Sequence, residues 1–407
     1  METYINKKTD SYTEIEKYID LEAFRDSVPE FFKDSHDPRS RDNCDYPLSA
    51  LMVIMLMAVI SGANSILAIF DYAVSKQSLI KELLGLEKIP KYGTFWWLIT
   101  RMKPEQFSSA FYEWVKTEGI AGIPKAIQID GKTIRGAKNK EGNQNVHLVH
   151  AWASQEGMLL GQLKTAEKSN EITAIPELLD KLDIHGATIT IDAAGCQKKI
   201  IKKIRENGGH YIVAVKENQP KLYDEIEDLF KVAREQNFYY VPNADLFESV
   251  EKGHGRIVKR SVAICSDTSG LGDDIKNAWC DLETFIEVTS ERTVDAKTSI
   301  QKRYYISDLM ESAESFGKSI KDHWSVENPL HWVMDVVFRE DESRANILYA
   351  AENLGTLRRI ALNLLNYNKM TNGEFSKLGT AQKRRRIGWG DSSILKEIIY
   401  PIFGQLV

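Results

Sequence analysis

From residue 122 onward the chain alternates between short apolar runs and helical patterns, and this alternation limits the folds open to it. A short strand pattern at Ala126–Ile129 precedes two apolar runs, Val146–Ala153 and Met158–Thr165, which Gln155-Glu156-Gly157 separates. These two runs predict a hairpin. Helix, strand, helix and strand patterns then follow through residue 215. Such an order predicts an α/β fold, in which a mixed sheet carries helices on its faces.

The rest of the chain divides by its periodicity into further segments. Helical spacing dominates the first hundred residues, and a less regular, strand-rich pattern with acidic patches begins near Asn218. Helical spacing returns near Glu311. We therefore predict a helical N-terminal domain at 1–115, an α/β core at 122–217 and 307–368, a β-rich insertion at 218–306 and a basic tail at 369–407.

One apolar stretch is long enough to raise the question of a membrane span. Leu48 to Ile60 is apolar apart from Ser49, and polar residues follow at once from Ser61. Because a spanning helix needs about 20 mostly apolar residues, a buried core helix is the favoured interpretation and a membrane span the alternative. The first 25 residues carry no apolar run, and the four cysteines form no CxxC pair, so we expect a cytoplasmic protein.

Charge is distributed unevenly along the chain. The formal net charge is −5, which excludes a protein that coats DNA by bulk positive charge. Residues 356–390 nevertheless hold eight basic side chains and one acidic side chain, Glu374. This predicts a local patch for phosphate backbones, with a solvated face as the alternative. The basic residues are Arg358, Arg359, Lys369, Lys377, Lys383, Arg384, Arg385 and Arg386.

Two aspartates stand at the ends of predicted buried strands. Asp130 follows the first strand pattern and Asp192 follows the strand pattern at Ala187–Ile191. A carboxylate in such a place is costly unless it is paired or binds a cation. Two strand-borne aspartates with a third carboxylate could hold two Mg²⁺ ions about 4 Å apart for phosphoryl transfer. The alternative is a helix-capping or loop-bonding role.

Glu327 is the candidate for the third carboxylate. His323, Glu327 and His331 recur at every fourth position, on one face of a predicted helix. A zinc site is the alternative, but the stretch has no HExxH motif and no nearby cysteine. The histidines could instead contact phosphate or orient the carboxylate. Pro329 should kink this helix or start a new one just after Glu327.

Two further strings contain candidate phosphate contacts. "DGKTIRG" lacks the spacing of a phosphate-binding loop, yet its Lys132 and Arg135 should lie just beyond Asp130 and meet DNA phosphates. "KGHGR" predicts a tight turn between strands, at which His254 and Arg256 are candidates for an additional role.

Several longer strings resemble a known family. These strings are "IQIDGKTIRG", "KSNEITAIPELLDKLDIHGATITIDAAGCQ", "GGHYIVAVKENQ", "KGHGR", "RYYIS" and "HWSVENPLHWVMDVVFRED". They resemble the DDE transposases of bacterial insertion sequences and, more narrowly, the ISAs group, which includes the H-repeat-associated proteins. The resemblance runs in order from about Phe31 to Leu395.

The resemblance implies a ribonuclease H-like catalytic core with an acidic triad that binds two divalent metal ions. The triad residues match Asp130, Asp192 and Glu327, and the long gap before Glu327 resembles the β insertion of related transposases. Further motifs match at Asn218, Gln219, His254, Arg256, His323 and His331, which we expect to hold DNA. The chain departs from the broader pattern at His323 and Met334, where relatives carry arginine and lysine.

The function implied is a DNA transposase that cuts and joins insertion-sequence ends by two-metal phosphoryl transfer. We expect two Mg²⁺ ions, with Mn²⁺ as an alternative, and DNA partners comprising the terminal inverted repeats and the target. The helical N-terminal region is a candidate for binding DNA ends, and a homodimer or higher assembly is expected on DNA. The alternatives are a domesticated DNA-binding relative without strand cleavage and a structure-specific metal-dependent nuclease.

Overall fold

The computed structural model describes most of the chain, with gaps. It covers residues 21–39, 44–119, 122–138, 145–165, 171–239, 241, 243–253, 255–266, 272, 275, 277–295, 297–367, 375–390 and 392–403. In this part of the chain the strands form one mixed sheet, and helices pack on both of its faces. The predicted mixed α/β architecture is confirmed at this level.

The sheet contains nine strands in the order β3-β2-β1-β4-β5-β9-β8-β7-β6. β1 to β3 form an antiparallel meander, β4 and β5 run parallel to β1, and β6 to β9 are antiparallel. The strands are β1 (Ala126–Lys138), β2 (Asn145–Ala153), β3 (Met158–Thr165), β4 (Thr188–Ile191), β5 (His210–Val215), β6 (Ala244–Gly253), β7 (Arg256–Cys265), β8 (Thr284–Val294) and β9 (Lys297–Ser307).

The first strand is longer than its apolar pattern predicts. The sequence indicates a strand that ends at Ile129, whereas β1 continues through Lys138 with Asp130 inside it. The polar residues beyond Asp130 pair in register with β2, up to Ile134 opposite Val146. Lys132 and Arg135 in this part of β1 have acidic partners more than 200 residues away, and the local pattern of apolar residues does not indicate such contacts.

The helices before the sheet share a core. All 13 residues of the helix Leu48–Ile60 are buried, so the predicted core helix is confirmed. Among the residues that the structure describes, no helix combines the length and the apolarity needed to cross a membrane. The helices are α1 (Leu21–Phe31), α2 (Leu48–Ile60), α3 (Ile66–Ser75), α4 (Gln77–Leu84), α5 (Tyr92–Arg101) and α6 (Pro104–Trp114), followed by a π-helical turn at Val115–Gly119.

The remaining helices follow the strands or lie between them. Helices on one face of the sheet pack against Ile189 and Tyr211, whereas Ile212 faces the opposite side, toward Phe316 and Ile320. These helices are α7 (Glu171–Asp180), α8 (Lys198–Glu206), α9 (Pro220–Glu235), α10 (Ala313–Ser325), α11 (Ala350–Tyr367), α12 (Thr380–Trp389) and α13 (Ser392–Phe403), with π-helix at Glu327–Val337 and 3₁₀ turns at Ala193–Gly195 and Glu340–Glu342.

The C-terminal helices complete the core of the N-terminal ones. Asn353 in α11 donates from its side chain to the carbonyls of Ile99 and Met102, at 2.9 and 2.8 Å. Phe403 in α13 contacts the ring of Phe24 edge-on. Helices from both ends of the chain therefore bury one another, and the division of the chain into five segments stays a prediction.

The stretch predicted as the start of the β-rich insertion begins with a helix. Residues 220–235 form α9, with Pro220 in its first turn, where the missing N–H is not needed. Leu222, Ile226 and Phe230 form its buried face at helical spacing. The strand-rich pattern expected from residue 218 therefore does not extend to this stretch, where acidic residues obscure the helical spacing in the sequence. β6 to β9 follow and extend the sheet, because β9 pairs with β5.

The basic side chains of residues 356–390, predicted to form a surface patch, are only partly exposed. Lys383 and Arg384 are buried, as are Arg358 and Arg359, so these four cannot present their charges to DNA. Lys383 donates to the Leu365 carbonyl at 2.7 Å, and Arg384 donates to the Val59 carbonyl at 2.8 Å.

Both acceptors lie near the C-terminal ends of helices, α11 and α2, where carbonyl dipoles favour cations. Lys377, Arg385 and Arg386 are exposed, and Lys369 lies outside the described residues.

A buried ion pair joins the last long helix to the segment after the π-helix. Arg359 binds Glu340 through two nitrogens at 2.5 and 3.0 Å, and both side chains are essentially inaccessible to water. The Arg359 guanidinium holds the pKa of Glu340 below its usual range despite the burial of that carboxyl. Arg359 also donates to the ring of His150 at 2.9 Å, which ties β2 to the same pair.

Replacing Glu340 should therefore cost stability because it leaves a buried guanidinium uncompensated. We expect Glu340→Ala to lower the free energy of unfolding by about 3 kcal/mol or more. The matched control is Glu342→Ala, which removes an exposed carboxylate that binds Arg339 at 2.6 Å, and should cost less than about 1 kcal/mol. Denaturant unfolding of both variants checks this, and equal losses would contradict it.

Candidate active site

Two adjacent parallel strands bring Asp130 and Asp192 to the same level of the sheet. β1 and β4 pair in register, with Ile129 opposite Ile191, and an aspartate follows each of these two residues: Asp130 within β1 and Asp192 just after β4. Asp192 also accepts hydrogen bonds from the backbone of Ala194 and Gly195, at 3.0 and 3.4 Å. Its carboxylate therefore caps the 3₁₀ turn, the alternative role that the sequence offers for a strand-end aspartate.

Asp130 lies in an unfavourable place for a negative charge. The pKa of Asp130 is raised to about 6, and removal of its carboxyl from water is the largest cause. The nearby carboxylates of Asp192, Glu171 and Glu327 contribute to this rise, while a hydrogen bond from the Gly131 backbone opposes it. Three acidic groups therefore disfavour the charged form of Asp130, in addition to its burial.

A buried pair behind Asp130 was not predicted from the sequence. His147 and Glu171 bond at 2.6 Å, and the other ring nitrogen of His147 bonds Thr133 at 2.8 Å. A Cβ atom at Gly131 would lie 2.3 Å from the Glu171 carboxylate, so only glycine allows this approach. Gly131 and Glu171 stand in strings that carry the family resemblance, but their spacing alone indicates no contact.

Glu327 begins a π-helical segment that follows α10. Pro329 has no N–H to continue an α-helical ladder, and the His331 N–H bonds the Val326 carbonyl five residues back, at 3.4 Å. The change of helix at Glu327 confirms the predicted effect of Pro329. The wider turn places the ring of His331 near Glu327, with Nδ1 at 3.6 Å from a carboxylate oxygen.

His331 connects the two parts of the candidate site. Its Nε2 lies 3.6 Å from Asp130 Oδ2, while its Nδ1 faces Glu327. Burial lowers the pKa of His331 to about 4, and the charge of Lys132 contributes to this shift. The Nε2 atom has no hydrogen-bond partner among the described residues. A neutral ring thus bridges Asp130 and Glu327.

His323 fixes the helix that precedes Glu327 to the strand that precedes Asp192. Its Nδ1 bonds the Thr190 hydroxyl in β4 at 2.8 Å, and removal from water lowers the pKa of His323 to about 4. Of the two expected histidine roles, contact with phosphate and orientation of the carboxylate, this geometry favours orientation.

The three carboxylates lie in the same region of the structure, but their oxygens do not converge on one point. Asp130 and Asp192 stand on adjacent strands, and Glu327 reaches Asp130 through His331. The Glu327 side chain is 75% exposed. In the part of the chain that the structure describes, no three His, Cys, Asp or Glu side chains are grouped closely enough to hold a metal ion.

The two basic residues beyond Asp130 differ in their surroundings. Lys132 is buried and binds both carboxylate oxygens of Asp335 at 2.6 Å, so the expected exposure to DNA phosphates was wrong for this residue. The burial of a lysine at this place is explained by its bidentate acidic partner. The Arg135 side chain is 84% exposed and stands 3.6 Å from Asp341, which leaves it accessible to a ligand.

Asn218 and Gln219 support the turn after Asp192. Asn218 donates from its side-chain amide to the Ala193 carbonyl, and Gln219 donates to the Cys196 carbonyl, each at 2.8 Å. These contacts position the backbone next to Asp192. Of the "KGHGR" residues, Arg256 is exposed at the start of β7, and His254 lies outside the described residues.

Comparison with known proteins identifies the family. The family model described as "Transposase DDE domain" matches residues 122–364, which is more than half of the chain, and the model described as "DDE_Tnp_1-associated" matches residues 29–115. The chain belongs to the DDE transposase family. It is therefore a DNA transposase, a metal-dependent nuclease and strand transferase, which confirms the predicted family and function.

Individual relatives agree with this assignment. "Putative protein YbfL" of Escherichia coli K12 is 36% identical over 86% of this chain and 92% of its own length. "H repeat-associated putative transposase YhhI" of the same strain is 35% identical over the same shares. The solved piggyBac transposase synaptic complex with hairpin DNA covers 93% of this chain and 80% of that chain, with a TM-score of 0.42 and 11% identity. A likeness that low supports no inference about this chain.

The donor chemistry of the candidate site suits a hard divalent cation. Asp130, Asp192 and Glu327 offer carboxylate oxygens, which Mg²⁺ and Mn²⁺ accept readily. A cation would also relieve the unfavourable field of the acidic groups around Asp130. The residues present therefore fit the metal dependence of the family.

The support of the Asp192 turn by Asn218 can be tested without an activity assay. We expect Asn218→Ala to increase amide hydrogen exchange across Ala193–Gly195 by about fivefold, the effect of losing about 1 kcal/mol of local hydrogen bonding. Glu217→Ala, at an exposed neighbouring position, is the control and should leave this exchange unchanged. Identical exchange of the turn in both variants would show that Asn218 does not hold it.

Proposed function

We propose that Asp130, Asp192 and Glu327 together bind two Mg²⁺ ions and cut and join the ends of the protein's own insertion element. The observation that carries this proposal is the position of His331, 3.6 Å from both Asp130 and Glu327. Because β4 pairs in register with β1, Asp192 belongs to the same neighbourhood. Mn²⁺ is the alternative ion, since it accepts the same oxygen ligands.

The chain's own residues supply position and charge. Divalent ions bound by the three carboxylates would activate water or a 3′-hydroxyl and stabilise the leaving oxygen. Asp192 is held by the turn that it caps, and Asn218 and Gln219 hold that turn from the other side. His323 fixes α10 to β4, so Glu327 begins its π-helix at a defined distance from Asp192. Positioning of this kind, together with charge stabilisation, accounts for most of the rate enhancement in phosphoryl transfer.

His331 has a distinct place in this scheme. Its ring lies between Asp130 and Glu327 and is close to both carboxylates. We propose that it orients Glu327 through Nδ1, because only one ring nitrogen of a neutral histidine carries a proton. The unpartnered Nε2 then faces Asp130 without donating to it.

The catalytic part of the sheet is proposed to be ribonuclease H-like. In support, the order β3-β2-β1-β4-β5 places the two aspartate-bearing strands at the centre, and helices cover both faces. β6 to β9 are then the insertion that separates Asp192 from Glu327 in the chain. A cytoplasmic location fits the same proposal, as does assembly as a dimer or higher oligomer on two DNA ends.

Removal of one carboxylate should abolish strand cleavage and preserve DNA binding. The expected result for Asp130→Asn, Asp192→Asn and Glu327→Gln is a loss of nicking of at least about a hundredfold, because each isosteric amide removes a charge from the ion-binding set. Nicking is measured on a duplex that carries the DNA bordering the coding region, with binding measured on the same duplex.

Glu314→Gln is the matched control for Glu327→Gln, since it removes an exposed carboxylate from the first turn of α10. It should cleave at the rate of the unchanged protein. Retained cleavage in any of the three amide variants would refute the assignment. Binding without cleavage by the unchanged protein would favour the DNA-binding relative, and cleavage that depends on DNA shape alone would favour the structure-specific nuclease.

Metal removal gives a second test of the same site. Chelation should stop nicking, and added Mg²⁺ or Mn²⁺ should restore it, because the carboxylates alone cannot stabilise the leaving oxygen. Titration of the unchanged protein with Mn²⁺ should show two bound ions in the presence of DNA, and each amide variant should lose at least one. Full cleavage after exhaustive chelation would contradict the proposal.

A further inference from the structure

The outer half of the strands β7 to β9 has two faces of different charge. Alternation along each strand places Arg256, Val258 and Arg260 on one face of β7. Their paired neighbours in β8 are Val294, Arg292 and Ser290, and Arg303 in β9 pairs with Val288 on the same face. We call this side the arginine face, defined by Arg256, Arg260, Arg292 and Arg303. The opposite face mixes lysines with glutamates, such as Lys259 with Glu248 at 3.2 Å.

The arginine face keeps an excess of positive charge. Glu251, the carboxylate that lines the groove on this face, is already bound by Arg260 at 2.9 Å and by Lys321. Arg256 and Arg292 are exposed, and neither has an ion pair with any carboxylate in the described ranges. Uncompensated arginines on a concave surface form a site for an anionic partner.

This face continues toward the catalytic centre. The Arg303 guanidinium stacks on the ring of Trp324 at 3.9 Å, and Trp324 lies in the last turn of α10, just before Glu327. The inner half of the same face, with Val262, Val288 and Tyr305, packs against Phe316 and Ile320 of α10. The open, basic half therefore begins where the helix leads to the catalytic glutamate.

The groove on this face contains polar atoms without partners. It has a volume of about 560 Å³, and Arg260, Ser290 and Trp324 are among the residues that line it. The Arg260 Nε and the Ser290 hydroxyl are shielded from water, and neither has a hydrogen-bond partner within the described structure. Such atoms are costly unless water or a polar ligand satisfies them, so the groove favours polar occupants over apolar ones.

We propose that the arginine face binds the phosphate backbone of duplex DNA that leads to the catalytic centre. This rests on the proposed function and deepens it, because it assigns a sequence-independent DNA contact to the outer half of β7 to β9. At ~3.3 Å per residue, the face extends ~20 Å from the level of Arg303 to that of Arg256. Duplex DNA presents several phosphates over that length. Arginine suits them, since its guanidinium bonds phosphate oxygens in pairs.

The test compares two double variants of equal charge change in the full-length protein. Arg256→Ala with Arg292→Ala removes two arginines from the arginine face, and Lys259→Ala with Lys302→Ala removes two lysines from the opposite face. Fluorescence anisotropy then measures binding to a duplex of arbitrary sequence and to one carrying the DNA that borders the coding region, across a range of salt concentrations. Thermal unfolding of each variant checks that the fold is retained.

We expect the double arginine variant to bind both duplexes roughly tenfold more weakly than the unchanged protein. The slope of log K against log salt should become less steep by about 1.8, which corresponds to the loss of two phosphate contacts. The lysine pair should bind as the unchanged protein does. If both double variants bound DNA equally weakly, the loss would be an effect of net charge and not of this face. If the double arginine variant bound DNA as the unchanged protein does, the arginine face would not contact DNA. Either result overturns the proposal.

A loss confined to the bordering DNA would indicate base reading and would also overturn the backbone assignment. This test is separate from that of the catalytic residues. The amide variants of Asp130, Asp192 and Glu327 are expected to bind DNA and fail to cut it, whereas the arginine pair is expected to bind weakly. Failure of one expectation therefore leaves the other measurable.

Discussion

The pairing of β1 with β4 is the constraint on which the candidate site depends. Parallel register with Ile129 opposite Ile191 sets Asp130 beside Asp192, and the removal of Asp130 from water, together with the repulsion between carboxylates, makes that arrangement unfavourable on its own. A cation bound between the two carboxylates would offset this unfavourable free energy. The rest of the site surrounds the pair: Asn218 and Gln219 hold one turn, and His331 bridges to Glu327.

Buried charge is managed in the same way elsewhere in the chain. Arg359 binds Glu340, Lys132 binds Asp335, and Arg384 is satisfied by carbonyls at helix ends. Each of these cations has a specific acceptor, so their burial is compatible with a stable core. The exposed arginines Arg256 and Arg292 of β7 and β8 have none in the described structure, and the proposal that the arginine face binds DNA rests on this contrast.

The sequence predicted the mixed sheet, the buried helix Leu48–Ile60 and the change of helix near Glu327, because each follows from local periodicity or from the chemistry of proline. It did not predict α9, whose acidic residues obscured a buried face at helical spacing. Nor did it predict the continuation of β1 past Asp130. The polar side chains there are stabilised by partners far away in the chain, as Lys132 is by Asp335. Long-range ion pairs leave no periodic signal. The run of basic residues near the C-terminus likewise predicted an exposed basic patch, although Lys383 and Arg384 are buried because they donate to helix carbonyls from distant parts of the chain.

The central claim is that three carboxylates from distant parts of the chain converge on shared divalent ions. A crystal of the protein grown with Mn²⁺ and end DNA, measured at a wavelength where manganese scatters anomalously, tests this directly. The account predicts two anomalous peaks that together contact Asp130, Asp192 and Glu327. Peaks elsewhere, or a well-ordered site whose three carboxylates share no ion, would contradict it.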